Sequence, residues 1–105
     1  MTGFPLSMFW MEFRTGNTGL IVQLIENGAD VKEADWNGYT PLHFYLYFNK
    51  ENPSLDFVKY LIKKGADINA KTKDGNTPLD YVSESMAEKI REINSTSQNA
   101  REGIS

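Results

Sequence analysis

Few side chains in this sequence of 105 residues are of a type that does chemistry. The one histidine, His43, is of the residue type whose unperturbed pKa suits a general base. No nucleophile stands at a motif spacing from it, so no catalytic pair can be read from the sequence. Asp30 and Asp67 are candidate paired carboxylates for acid–base work or a hard metal ion. They lie 37 positions apart, each just after Gly-Ala at the start of a turn, where local backbone hydrogen bonding is the simpler reason for a carboxylate. Cysteine is absent, which removes thiolate nucleophiles, thiolate metal sites and disulfides. A single histidine removes multi-histidine metal sites. No Gly-rich run precedes a Lys and a helix, so no phosphate-cradling loop is expected. Asn94-Ser95-Thr96 has the form of a glycosylation acceptor, a chance match in a chain without a signal segment. The expectation is a protein that is not an enzyme, with no catalytic residues, no cofactor and no metal.

Charge narrows the partners. Eleven Lys and Arg face fourteen Asp and Glu, a net charge of −3, whereas neutralising phosphates needs a basic surface. Nucleic acid is therefore not an expected partner. No apolar run reaches the length of a membrane span. The most apolar window, Phe4 to Phe13, contains Ser7 and Glu12 and has no basic start, unlike a secretory signal. The lack of Cys fits a reducing compartment, and the cytoplasm is the expected location.

The elements that must position any site are announced by repetition. Gly28-Ala29-Asp30-Val31 recurs as Gly65-Ala66-Asp67-Ile68, 37 positions on. Asn37-Gly38-Tyr39-Thr40-Pro41-Leu42 recurs as Asp74-Gly75-Asn76-Thr77-Pro78-Leu79, and Leu24-Ile25 as Leu61-Ile62, at the same offset. Each block has a local reason. Thr-Pro starts a helix, because the Thr hydroxyl caps an orphan amide and Pro has none to lose. Gly28 and Gly65 suit helix stops, and Lys63 and Lys64 favour the negative end of a helix dipole. One helix is expected from Pro41 to about Phe48. A second opens at Asn52-Pro53 and runs to Lys64, with Leu55, Val58, Leu61 and Ile62 on one face and Asp56, Lys59 and Lys63 turned away. Such a pair cannot bury its apolar face alone and must stack on neighbours.

Gly38-Tyr39-Thr40-Pro41-Leu42-His43, followed by Val58-Lys59-Tyr60-Leu61-Ile62-Lys63-Lys64-Gly65-Ala66-Asp67-Ile68-Asn69-Ala70, resembles an ankyrin repeat. Lys73 to Asp80 resembles the start of a terminal repeat, and Ile21 to Asp30 the end of an earlier one. The resemblance covers about residues 4 to 93. It implies an all-α, ankyrin-type solenoid of helix-turn-helix units joined by β-turn or hairpin fingers. The expected repeat domain spans 1–93, with a degenerate first unit at about 4–34, a full unit at 35–70 and a capping unit at 71–93. That last unit runs from Thr77 to about Ile93, with Val82, Met86, Ile90 and Ile93 at helical spacing. A polar tail, 94–105, is expected to fray. The period departs from the family's roughly 33 residues, the extra residues falling near Asn49 to Pro53. After Thr-Pro-Leu-His the family has small Ala residues, whereas this chain has Phe44-Tyr45-Leu46-Tyr47-Phe48. Aromatic first helices of this kind are reminiscent of poxviral ankyrin proteins, a weaker resemblance that would place the chain in a host cytoplasm.

The resemblance also implies roles. His43 would brace its turn through hydrogen bonds, and Asp80 would do so in the last unit. The function implied is that of an adaptor gripping another protein through finger tips and the concave first-helix surface. The tip positions are Trp36, Asn37 and Tyr39 in one finger and Lys73, Asp74 and Asn76 in the next, flanked by Glu33 and Lys71. Trp36 and Tyr39 would be anchors, unless Trp36 packs over the neighbouring hairpin. An end unit should show a polar outer face, yet Met8, Phe9, Trp10, Met11 and Phe13 are apolar. The alternative is thus a truncated or degenerate array fragment that self-associates or docks through this N-terminal unit.

Overall fold

The computed structural model describes the backbone of residues 10–102 and the side chains of residues 11–96. Met8 and Phe9 lie outside the described residues, as does the side chain of Trp10. Five α-helices form: α1 (Trp10–Thr15), α2 (Thr18–Glu26), α3 (Pro41–Phe48), α4 (Leu55–Lys63) and α5 (Glu84–Glu102). A 3-10 turn, Pro78–Tyr81, stands between α4 and α5, and no strand forms among the described residues. None of these helices is long and apolar enough to cross a membrane.

The starts of α2, α3, α4 and α5 each have a side-chain cap. Asn17 Oδ1 accepts from the Leu20 amide at 3.2 Å, and Thr40 Oγ1 accepts from the His43 amide at 3.4 Å. The α4 cap is Ser54, whose Oγ accepts from the Phe57 amide at 3.2 Å, and not Asn52 as the Asn-Pro pair suggested. The capping segment also differs from expectation. Pro78 begins only one 3-10 turn, Val82 is extended, and Ser83 caps a new helix by accepting from the Met86 amide at 3.2 Å. The polar segment from Asn94, expected to fray, continues α5 to Glu102, and it contains neither Pro nor Gly to stop a helix.

The helices stack in two rows. In one, α1 packs on α3 and α3 on the 3-10 turn; in the other, α4 packs on α5. Glu26 joins α2 to α4, accepting from the Tyr60 hydroxyl and pairing with Lys64 Nζ at 3.3 Å. The Tyr60 bond, then Lys64, hold the Glu26 carboxyl below its ordinary range. Burial, then Glu26, push the Tyr60 phenol up to about 12. Between the rows lie Ile21, Ile25, Leu42, Leu46, Val58, Leu61 and Ile90, all buried.

Aromatic bulk in α3 is absorbed by the core. Tyr45 is buried with its ring edge-on to Phe57 at 4.7 Å, and its hydroxyl accepts from the Ser54 amide at 2.8 Å. Asn49 Nδ2 donates to the carbonyls of Phe13 and Tyr45, each at 3.0 Å, which fastens the end of α1 to α3. Phe13 requires a correction. Expected on a self-associating face, it is fully buried, 6.0 Å from the Phe44 ring, because α1 turns it onto α3. Phe13→Ala should therefore lower unfolding stability by about 3–5 kcal/mol in urea titration; a loss below about 1 kcal/mol would return Phe13 to the surface.

Candidate interaction surface

Two loops of parallel construction project from the stack: finger one, residues 27–40, between α2 and α3, and finger two, residues 64–77, between α4 and the 3-10 turn. Both leave their helix by the same hydrogen bonds. Gly28 and Ala29 amides donate to Ile25 and Leu24 carbonyls, and Gly65 and Ala66 amides to those of Ile62 and Leu61, the Schellman pattern. Asp30 Oδ1 then accepts from the Lys32 amide at 2.8 Å and Asp67 Oδ1 from the Asn69 amide at 2.9 Å. These two carboxylates each shape their own turn. No cluster of metal-ligating side chains forms among the described residues.

The tips are closed from inside. In finger one the Asp35 amide donates to the Tyr39 carbonyl and the Gly38 amide to the Asp35 carbonyl, each at 2.9 Å. In finger two the Thr72 amide donates to the Asn76 carbonyl at 2.9 Å and the Gly75 amide to the Thr72 carbonyl at 2.8 Å. Asp35 Oδ1 accepts from the amides of Asn37 and Tyr39, and Thr72 Oγ1 from those of Asp74 and Asn76. Asp35 and Thr72 are not among the expected site residues. Their signal was a short oxygen-bearing side chain two residues before Asn-Gly or Asp-Gly, a side-chain mimic of a backbone turn.

The fingers lie against each other. The Lys73 amide donates to the Asn37 carbonyl at 2.9 Å. His43 makes the second link. Its Nδ1 accepts from the Thr40 amide at 3.1 Å with the Thr40 hydroxyl at 2.8 Å, and its Nε2 lies 3.0 Å from the Asn76 carbonyl. An amide can only donate and a carbonyl can only accept, so the proton is assigned to Nε2 and the ring is neutral. Burial pulls its pKa below the ordinary value, against the carbonyls of Asn76 and Ala70 and the carboxylates of Asp35 and Asp80. Both nitrogens are occupied and the side chain is fully buried, which fits bracing and leaves no basic lone pair for a substrate. Asp80, its counterpart, accepts from the Thr77 amide at 2.8 Å.

The expected contact residues divide by exposure. Trp36 is 92% exposed and so does not pack over the neighbouring finger. Glu33, Asn37, Lys71, Lys73 and Asp74 are exposed beside it in sequence or on the adjoining finger. Tyr39 and Asn76 are half-buried: Tyr39 lies 5.7 Å from the His43 ring and 5.8 Å from Phe44, and the Asn76 carbonyl serves the seam. Ion pairs among the described residues are Lys64–Glu26 and Arg91–Glu84, so the tip charges are uncommitted. Tyr47, one of the aromatic residues of the first helix, is 46% exposed on α3 with Lys50 Nζ 5.2 Å over its ring. It meets Tyr81 edge-on at 5.4 Å.

Gly38 and Gly75 both take a left-handed backbone, with φ of 87° and 85°. A Cβ on Gly38 would lie 2.9 Å from Thr72 Cα, whereas one on Gly75 meets nothing within 4 Å. Gly75→Ala should cost about 1–2 kcal/mol and Gly38→Ala at least about 1 kcal/mol more by thermal unfolding; equal losses would show that the fingers do not touch. A family model described as ankyrin repeats, in three copies, matches residues 9–94. No curated protein matches the chain.

Proposed function

We propose that this chain, which belongs to the ankyrin-repeat family, is a non-catalytic adaptor that binds a partner protein through its two finger tips and the adjoining surface of α3. Ankyrin repeats generally serve protein–protein interaction. The observation that carries the assignment here is Trp36, 92% exposed on a turn whose backbone bonds are closed from within. An indole held out to water on a pre-ordered loop loses little conformational freedom when it is covered, which is the property of a binding anchor. Glu33, Asn37, Tyr39, Lys71, Lys73, Asp74 and Asn76 complete the contact, with Tyr39 acting from its half-buried position. The absence of catalysis is supported by the occupied nitrogens of His43, the one histidine of the sequence.

Self-association through the N-terminal unit has less support, because Phe13 turns inward and Met11, 46% exposed, is the remaining described apolar side chain of that set on the surface. Affinity capture with the wild-type chain, followed by titration of the recovered protein, tests the adaptor role. Trp36→Ala should weaken binding by about 2 kcal/mol, roughly thirtyfold, with melting unchanged. Equal affinity in a folded variant would remove Trp36 from the contact, and a mass that rises with concentration in place of a recovered partner would favour self-association.

A further inference from the structure

We propose that the edge of finger one turned away from finger two holds the partner as an extended backbone segment. A carbonyl of that segment takes the Trp36 amide, and an amide of it reaches the Tyr39 carbonyl. This rests on the adaptor function above and names how the partner is gripped.

Finger two shows what such an edge does. Towards finger one it offers the Lys73 amide, taken by the Asn37 carbonyl at 2.9 Å, and the Asn76 carbonyl, 3.0 Å from His43 Nε2. At the 37-residue offset the same two places in finger one are the Trp36 amide and the Tyr39 carbonyl. They are built alike. The Asp35 and Gly38 amides donate to the Tyr39 and Asp35 carbonyls, as the Thr72 and Gly75 amides donate to those of Asn76 and Thr72. Finger one therefore offers on its far side the pair that finger two offers to it. Among the described residues the Trp36 amide has no acceptor, and the Tyr39 carbonyl accepts from the Asp35 amide alone, which leaves it a second lone pair. The edge continues the seam that the molecule already makes, and beside it stands the exposed Trp36 indole.

A backbone donor and a backbone acceptor on one ordered edge are complementary to an extended polypeptide, which carries both groups along its own edge. A second copy of this chain is the poorer match. Stacked in the same register, its Asp74 carbonyl would meet the Trp36 amide, but Asp80 stands where His43 stands one unit earlier. Asp80 accepts from the Thr77 amide at 2.8 Å, as His43 accepts from that of Thr40, but it has no counterpart of the Nε2 proton. A carboxylate would face the Tyr39 carbonyl, acceptor against acceptor.

The probe is a set of linear peptides selected from a random phage-displayed library on the intact chain, and the readout is amide hydrogen exchange followed by NMR. In the free chain the Trp36 amide should exchange as an unprotected amide, while Lys73, its counterpart in the seam, is protected. With a selected peptide at about ten times its Kd, exchange at Trp36 should slow about tenfold. Trp36 is the second residue of a hydrogen-bonded turn, where proline fits. Trp36→Pro thus removes indole and amide, and Trp36→Ala the indole alone. The proline variant should bind the peptide about three- to tenfold more weakly than the alanine variant. A Trp36 amide that is protected in the free chain, or unprotected in the chain saturated with peptide, overturns the edge even if the proline variant does not fold. So does a library that yields no linear binder, and so does protection that appears only as the mass of the chain rises with concentration. Trp36-dependent capture of a protein that leaves the Trp36 amide unprotected would sink the edge and leave the adaptor standing. A peptide that protects Trp36 in a chain that captures no protein would sink the adaptor and leave the edge.

Discussion

Gly38 sits so close to finger two that a methyl group would come within 2.9 Å of Thr72 Cα, and this approach sets the spacing between neighbouring fingers. At that distance backbone can bond to backbone, as the Lys73 amide does to the Asn37 carbonyl. It also brings the Asn76 carbonyl within reach of His43 at the start of α3. The seam is thus made of short-range, directional bonds, one of them from the buried His43 ring. A buried polar group is costly when left unpaired, so the fingers have one favourable register.

Order in the seam fixes how the tips are held. Asp35 and Thr72 satisfy the tip amides from within, so the outward side chains have no part in holding the loops. Trp36, Asn37, Lys71, Lys73 and Asp74 can then vary without loss of shape. Tyr39 and Asn76 face both ways, since each adds to the tip while packing or bonding behind it.

Large side chains in α3 follow from the same logic of filled space. Where the family resemblance implies small residues, Tyr45 reaches across to the start of α4 and its hydroxyl takes up the Ser54 amide. The longer link between α3 and α4, with Asn49 tying back to the Phe13 carbonyl, belongs to this arrangement. The bulk therefore fixes how one helical pair meets the next, and Tyr47, the most exposed ring on α3, extends an aromatic surface from the fingers along the first row of helices.

The sequence by itself determined the architecture. Thr-Pro starts, Gly stops and a 37-residue echo are local signals, each readable from a few neighbouring residues, and they located α3, the fingers and the stacked plan. His43 as a brace was legible from the same motif, as an implication of the family likeness. Tertiary structure alone decided which aromatic rings are covered. Phe13 and Tyr45 are buried, Tyr39 is divided and Trp36 stands in water, although composition treats them alike. It also decided that the last unit opens with a 3-10 turn before a new helix. The physical reason is that exposure and cross-finger bonding depend on neighbours about 33 to 37 positions away, and no local pattern reports the distance at which those neighbours come to rest.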